Sequence, residues 1–236
     1  MKHALAVLSL SLFMLSSCAA SAEQRDQVPR SFGKAPANPS AIVAAELSFA
    51  RLAQQKGQWT AFRETAADNA VMFVPQLVNA QLWLKGKADP LQATDWQPHK
   101  IYMSCDGSIG VSIGAWQGDG GDTGYFTTIW QQMNFGQRKR GDALEYKWVF
   151  DHAEKSEKPL EEPDFVETEV AKCNAPSETF APAIAGDTAR QYGNSLDHSL
   201  SWSVRIDADN IRHVEVLLWD GSAMQNAVNR KVADVQ

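Results

Sequence analysis

Ser108-Ile109-Gly110-Val111-Ser112-Ile113-Gly114-Ala115-Trp116 alternates at every position. Ile109, Val111, Ile113 and Ala115 share one face; Ser108, Gly110, Ser112 and Gly114 share the other. A period of two marks a strand. A face of small residues lets another backbone or a large side chain come close. Ile101-Tyr102-Met103-Ser104-Cys105 precedes it as a second β-prone run, and Asp106-Gly107 between them predicts a two-residue type I′ hairpin turn. Downstream, Gly118-Asp119-Gly120-Gly121-Asp122 is a turn and Gly124 to Met133 a third strand. Asn134 to Asp142 is a polar, basic turn. The fourth strand runs from Leu144 to Asp151, alternating Tyr146, Trp148 and Phe150 against Glu145, Lys147, Val149 and Asp151. This spacing leaves no room for helical crossovers, so the four strands read as an antiparallel meander.

Upstream, Asn38-Pro39 is a helix start, with Asn as N-cap and Pro at the first helical position. Ile42, Ala45, Phe49 and Leu52 recur at helical spacing, and Gly57 ends the helix. Gln58 to Ala67 reads as a second helix with Trp59 and Phe62 inward, broken by Asp68-Asn69 before a strand from Ala70 to Val74. Beyond that strand, Pro90 admits a helix only at its first turn.

The 236 residues are 44% hydrophobic, enough for a sizeable core, and the net charge of −6 argues against a nucleic-acid surface. Residues 1–17 read as an export signal: a short basic start, then an apolar run from Ala4 to Leu15 too short to span a membrane. Leu15-Ser16-Ser17-Cys18 matches a bacterial lipoprotein box, which predicts lipidation at Cys18; the rival is cleavage after Ala20-Ser21-Ala22. Ala19 stands where an inner-membrane retention signal would place Asp, so the expected address is the periplasmic side of the outer membrane, reached by a lipid anchor. Residues 18–38 read as a flexible tether. After export Cys105 and Cys173 are the two cysteines left, and an oxidising compartment predicts a disulfide between them.

The glycine-punctuated strand ending Gly114-Ala115-Trp116, then Gly124-Tyr125-Phe126-Thr127-Thr128-Ile129-Trp130, then Lys147-Trp148-Val149-Phe150-Asp151, resembles the end of a nuclear transport factor 2-like domain. In style it is most similar to the SnoaL-like domains of exported bacterial proteins. The resemblance covers about residues 39–152. It implies an α+β, cone-shaped fold, a curved antiparallel sheet packed against two or three N-terminal helices, the short third starting at Gly86-Lys87-Ala88, with a mouth that binds small apolar molecules. Residues 153–236 lie beyond it, as an acidic extension and an extra C-terminal β-hairpin, Leu200 to Ile206 with Ile211 to Trp219.

Such domains also host isomerases, dehydratases and polyketide cyclases that use an Asp or His base. Here the first helix carries Phe49 and no tyrosine, and the strand from Ala70 to Val74 has no inward carboxylate, so the isomerase pattern is not met. The residual acid–base candidates are Asp151 and His152 at the end of the fourth strand, Tyr102, and Asp68. For each the bland reading, a loop cap, a solvated strand end or a core residue, is the stronger. The histidines are scattered, with neither a helical H-x-x-x-H nor a C-x-x-C, so no metal site and no cofactor is expected.

The expectation is therefore an exported lipoprotein whose pocket holds a small apolar ligand without catalysis. Its lining would come from Phe49, Phe73, Trp96, Trp116, Trp130 and Val149, with space left over Gly110, Ser112 and Gly114. The alternatives are an acid–base enzyme of the cyclase, dehydratase or isomerase type, and an assembly protein that forms a homodimer through its open sheet face.

Overall fold

The computed structural model describes residues 37–137, 142–158, 161–177 and 187–232. The signal segment, Cys18 and the tether up to residue 36 lie outside the described residues. Three helices come first: α1 (Pro39–Lys56), α2 (Gln58–Thr65) and the short α3 (Ala80–Leu84). Strands β1 (Ala66–Phe73) and β2 (Leu77–Asn79) are interleaved with them. The meander follows as β3 (Asp95–Met103), β4 (Ile109–Gln117), β5 (Thr123–Gln132) and β6 (Tyr146–Lys155). Then come β7 (Glu167–Val170), β8 (Ala189–Asn194), β9 (Leu200–Ile206), β10 (Arg212–Trp219) and β11 (Met224–Val232).

The fold is α+β, with two sheets. The first has seven strands in the order β2-β1-β6-β5-β4-β3-β7, and its centre is the expected antiparallel meander. It is mixed rather than wholly antiparallel, because β1 runs parallel to β6 and β7 runs parallel to β3. The acidic extension is thus no mere solvated excursion: Lys100 lies 3.2 Å from Glu169 and 3.8 Å from Glu167, pairing edge charges across β3 and β7. The C-terminal hairpin is present with the expected facing pairs, Val214 against Val204 and Val216 against Trp202. It is the centre of a second, four-stranded antiparallel sheet, β11-β10-β9-β8.

Local chemistry explains the boundaries. Pro39 opens α1, while the Asn38 side chain makes no capping bond. Gly57, at φ 105°, separates α1 from α2; a Cβ there would collide with Asp89, which accepts from Thr60 N at 2.9 Å and Thr60 Oγ1 at 2.6 Å. The third helix comes earlier than the Gly86 signal predicted, because Asn79 caps it, accepting from Leu82 N at 2.9 Å. The β3–β4 turn is wider than a type I′ hairpin. Gly107 alone takes a positive φ, and Asp106 instead accepts from Ser104 Oγ, Ser108 N and Ser108 Oγ.

Two differences move the site. β6 continues four residues past Asp151, to Lys155, so Asp151 and His152 lie inside a strand and not at its end. Its alternation is broken at Val149, which is skipped where Ile129 pairs with Phe150 and Trp130 with Trp148. That bulge puts Trp148 and Asp151 on the same face, the face toward the helices.

The other face of the meander is covered by the second sheet. Arg230 of β11 stacks 4.3 Å from the ring of Tyr125 on β5, and Cys105 N donates to Ser199 Oγ at 2.8 Å. Val111, Ile129, Val204 and Val216 are fully buried between the layers. The surface expected to pair with a second copy is therefore occupied by the chain itself. Cys105 and Cys173 lie at disulfide distance, with Cα atoms 5.3 Å apart.

Candidate functional site

The buried stripe of α1 is Ile42, Glu46, Phe49 and Ala53, with Ala45 and Leu52 only half-buried. The small face of β4 receives it. A Cβ on Gly110 would lie 2.5 Å from Ile42, so this glycine is what lets the helix seat. Beside it Ser112 meets Glu46, and Gly114 is closed over by Phe126 and the Gln97 backbone. The volume expected to stay open above these three residues is thus filled. The open space lies further along, toward the end of the meander that carries Trp116.

There, a cavity of about 170 Å³ is lined by Phe49 of α1, Phe62 of α2, Trp96 of β3, Trp116 of β4, Phe126 of β5 and Asp151 of β6, with Gln58, Thr94 and Ala153 completing the wall. The aromatic walls lock one another edge to face: Phe49 sits 4.8 Å from Phe62 and 4.9 Å from Trp96. Burying a ring such as Phe49 contributes about 1.5–3 kcal/mol, so these walls hold the helices to the sheet as well as shaping the space. A second hollow of about 270 Å³ shares Trp96 and Trp116, but its other walls carry the exposed polar side chains of Asp95, Gln97, Gln117 and Glu162 where the first has aromatic rings.

Behind the cavity wall runs a line of polar groups in cross-strand register: Ser112, Thr128 and Asp151 face one another across β4, β5 and β6. Thr128 Oγ1 donates to Asp151 Oδ2 at 2.8 Å. Glu46 is fully buried at the other end of the line. Its Oε1 accepts from Trp96 Nε1 at 2.8 Å, and its Oε2 accepts from Trp130 Nε1 at 2.9 Å and from Ser112 Oγ. Burial raises the Glu46 carboxyl above its ordinary range, while the three donors pull it back down. Burial also pushes Asp151 up to about 7, the Thr128 bond opposing and the nearby Glu46 charge adding. Among the described residues, neither carboxyl has an ion-pair partner within 4 Å.

Of the expected lining, Phe49, Trp96 and Trp116 face the cavity, with Asp151 beside them. Trp130 lies beneath it, bonded to Glu46. Val149, skipped at the bulge, does not line it, and Phe73 packs on the opposite face, 5.2 Å from the His152 ring. His152 is separated from Asp151 by the sheet itself. Only 3% exposed and with both ring nitrogens unbonded, it is held neutral: burial, with Arg212 adding, lowers it to about 3. Tyr102 is buried on the face turned from the cavity, with Lys100 4.8 Å over its ring, and Asp68 is exposed at an irregular stretch of β1. None of these three approaches the cavity.

Sequence reading left Phe62, Phe126, Gln58, Thr94 and Ala153 out of the lining and missed Glu46 altogether. Its signal was a carboxylate four residues after Ile42 and three before Phe49, on the face the helix buries. Among the described residues, no group of three or more His, Cys, Asp or Glu is arranged to hold a metal ion. The chain matches no family model and no curated protein.

Proposed function

We propose that this protein is an exported lipoprotein that binds a small, mainly apolar molecule between its N-terminal helices and the meander, without catalysis. The observation that carries the reading is the aromatic cavity of about 170 Å³ with one buried carboxyl in its wall. A dry cavity of about 150 Å³ is large enough for benzene, and ligand sites combine apolar walls with a few fixed polar groups. The order of helices before a meander, with α1 and α2 packed over the sheet, supports a nuclear transport factor 2-like cone with the cavity at its mouth. The lipobox-like Leu15-Ser16-Ser17-Cys18 supports an outer-membrane anchor.

Ala153 lines the cavity, so Ala153→Leu should fill it. A thermal-shift screen of small hydrophobic compounds tests the reading: hits should raise the melting temperature of the native protein and not that of the filled variant. Hits that stabilise both equally would place binding elsewhere. Mass spectrometry of the mature N-terminus tests the anchor, and an unmodified start at Glu23 would reject it.

A second reading rests on Asp151. A carboxyl near 7 in an apolar wall can take up and return a proton at neutral pH, as an acid–base enzyme of the cyclase, dehydratase or isomerase type requires. Turnover of any compound found in the screen, abolished in Asp151→Asn, would establish it; turnover that persists in that variant would remove it.

A further inference from the structure

The cavity wall is unusual in two respects at once. Five aromatic side chains, Phe49, Phe62, Trp96, Trp116 and Phe126, surround it, and the charged group among the lining residues is the carboxyl of Asp151. That carboxyl is 8% exposed and lacks a basic partner among the described residues, and the buried Glu46 adds a second acidic group behind it. A neutral hydrocarbon would fill such a space but give the carboxyl no countercharge, so that it would take up a proton rather than stay ionised. A cation resolves both features: aromatic faces attract it through their quadrupoles, and the carboxylate neutralises it.

We infer that the ligand of this cavity is a small organic cation, a tertiary or quaternary alkylammonium group, caged by the five aromatic rings and charge-paired with Asp151. The inference rests on the binding reading above. The degree of substitution follows from the acceptors available. A primary ammonium presents three N–H donors. The polar lining is limited to Asp151, Gln58 and Thr94, and Gln58 Oε1 already accepts from Thr94 N at 3.1 Å. Methyl groups in place of N–H donors suit rings better than unpaired donors do. The size fits as well: a cavity of about 150 Å³ takes a benzene-sized guest, so one of about 170 Å³ takes a trimethylammonium head.

Ionisation of Asp151 controls the affinity. Among the described residues, Glu46 on α1 is the other ionisable group acting on it; α2, β3, β4 and β5 present Gln58, Phe62, Trp96, Trp116, Phe126 and Thr128, and β1 pairs Met72 with it, all uncharged. Protonation of Asp151 below neutral pH removes the charge partner and leaves the aromatic cage intact.

Isothermal titration calorimetry of the full mature chain with choline and with 3,3-dimethyl-1-butanol, its uncharged isostere, tests this. At pH 8.5 choline should bind at least about tenfold more tightly than the isostere, a ratio worth about 1.4 kcal/mol. The ratio should shrink toward one at pH 5 in the wild type, and toward one at pH 8.5 in Asp151→Asn. Isostere binding equal to or tighter than choline at pH 8.5 would overturn the inference while leaving the binding reading standing. So would a choline preference that is the same at both pH values. Binding of neither compound, together with an empty hydrophobic screen, would overturn both.

Discussion

Replacing Asp151 with asparagine removes a charge while nearly keeping the shape, and the amide oxygen can still accept the Thr128 hydroxyl. In the unfolded chain the aspartate ionises near its ordinary 3.8; in the fold, burial and Glu46 push it to about 7. Between those values the folded protein holds a proton that the unfolded chain has lost. The wild type is therefore favoured at low pH and loses this stability as pH rises toward 7. The gap is about three (about 7 minus 3.8), and at about 1.4 kcal/mol per unit the loss reaches about 4 kcal/mol above neutrality. Asparagine escapes it. Asp151→Asn should match the wild type at pH 4 and exceed it at pH 8.5, by up to about 4 kcal/mol. His152 has the opposite slope, since its lowered value makes acid destabilising, but it is present in both proteins and cancels in the difference. Urea unfolding at pH 4, 6 and 8.5 reads the effect. An offset that does not change with pH, or a variant less stable than wild type at pH 8.5, would refute the reasoning.

Two further outcomes follow from the same core. Glu46→Gln should destabilise by about 1–3 kcal/mol, because an amide nitrogen then faces at least one of the donors from Trp96, Trp130 and Ser112. It should also let Asp151 ionise more readily, because the Glu46 charge that pushes it up is gone, seen as an acid-ward shift of that side chain's ¹³C titration; no shift would mean that the two carboxyls are uncoupled. Reducing the Cys105–Cys173 bridge, which spans 68 residues, should cost roughly 4 kcal/mol in the chain-entropy model. Free-thiol labelling of denatured, unreduced protein should find neither cysteine reactive, and two reactive thiols would reject the pairing.

Much of the scaffold was legible in the sequence, because local periodicity and turn chemistry carry it. The alternation from Ser108 to Trp116, the Asn38-Pro39 helix start and Gly57 all act within a few residues. The matched faces of Trp202 and Val204 against Val216 and Val214 are equally local. What escaped depended on partners distant in sequence. Parallel pairing of β7 with β3 and the stacking of the second sheet join segments more than sixty residues apart. The bulge at Val149 breaks an alternation that looked regular, which is why Val149 was grouped with Asp151 when it is Trp148 that shares its face. The glycine face of β4 correctly announced close approach, but which side chain would approach was not written there; Ile42 and Glu46 took the space. Glu46 itself was masked by its neighbours, since Ala45 and Leu52 complete an apolar stripe that needs no carboxylate.

The central claim is that the space between α1, α2 and the meander receives a ligand. The indole N–H signals of Trp96 and Trp116, assigned in ¹H–¹⁵N spectra by single substitution, report on it most directly. Both rings line the cavity, whereas Trp202 is buried in the second sheet and should stay silent. Titration with a compound that stabilises the protein should shift the Trp96 and Trp116 signals together and saturably, leaving Trp202 in place. Stabilising compounds that leave both Trp96 and Trp116 unmoved would contradict the account.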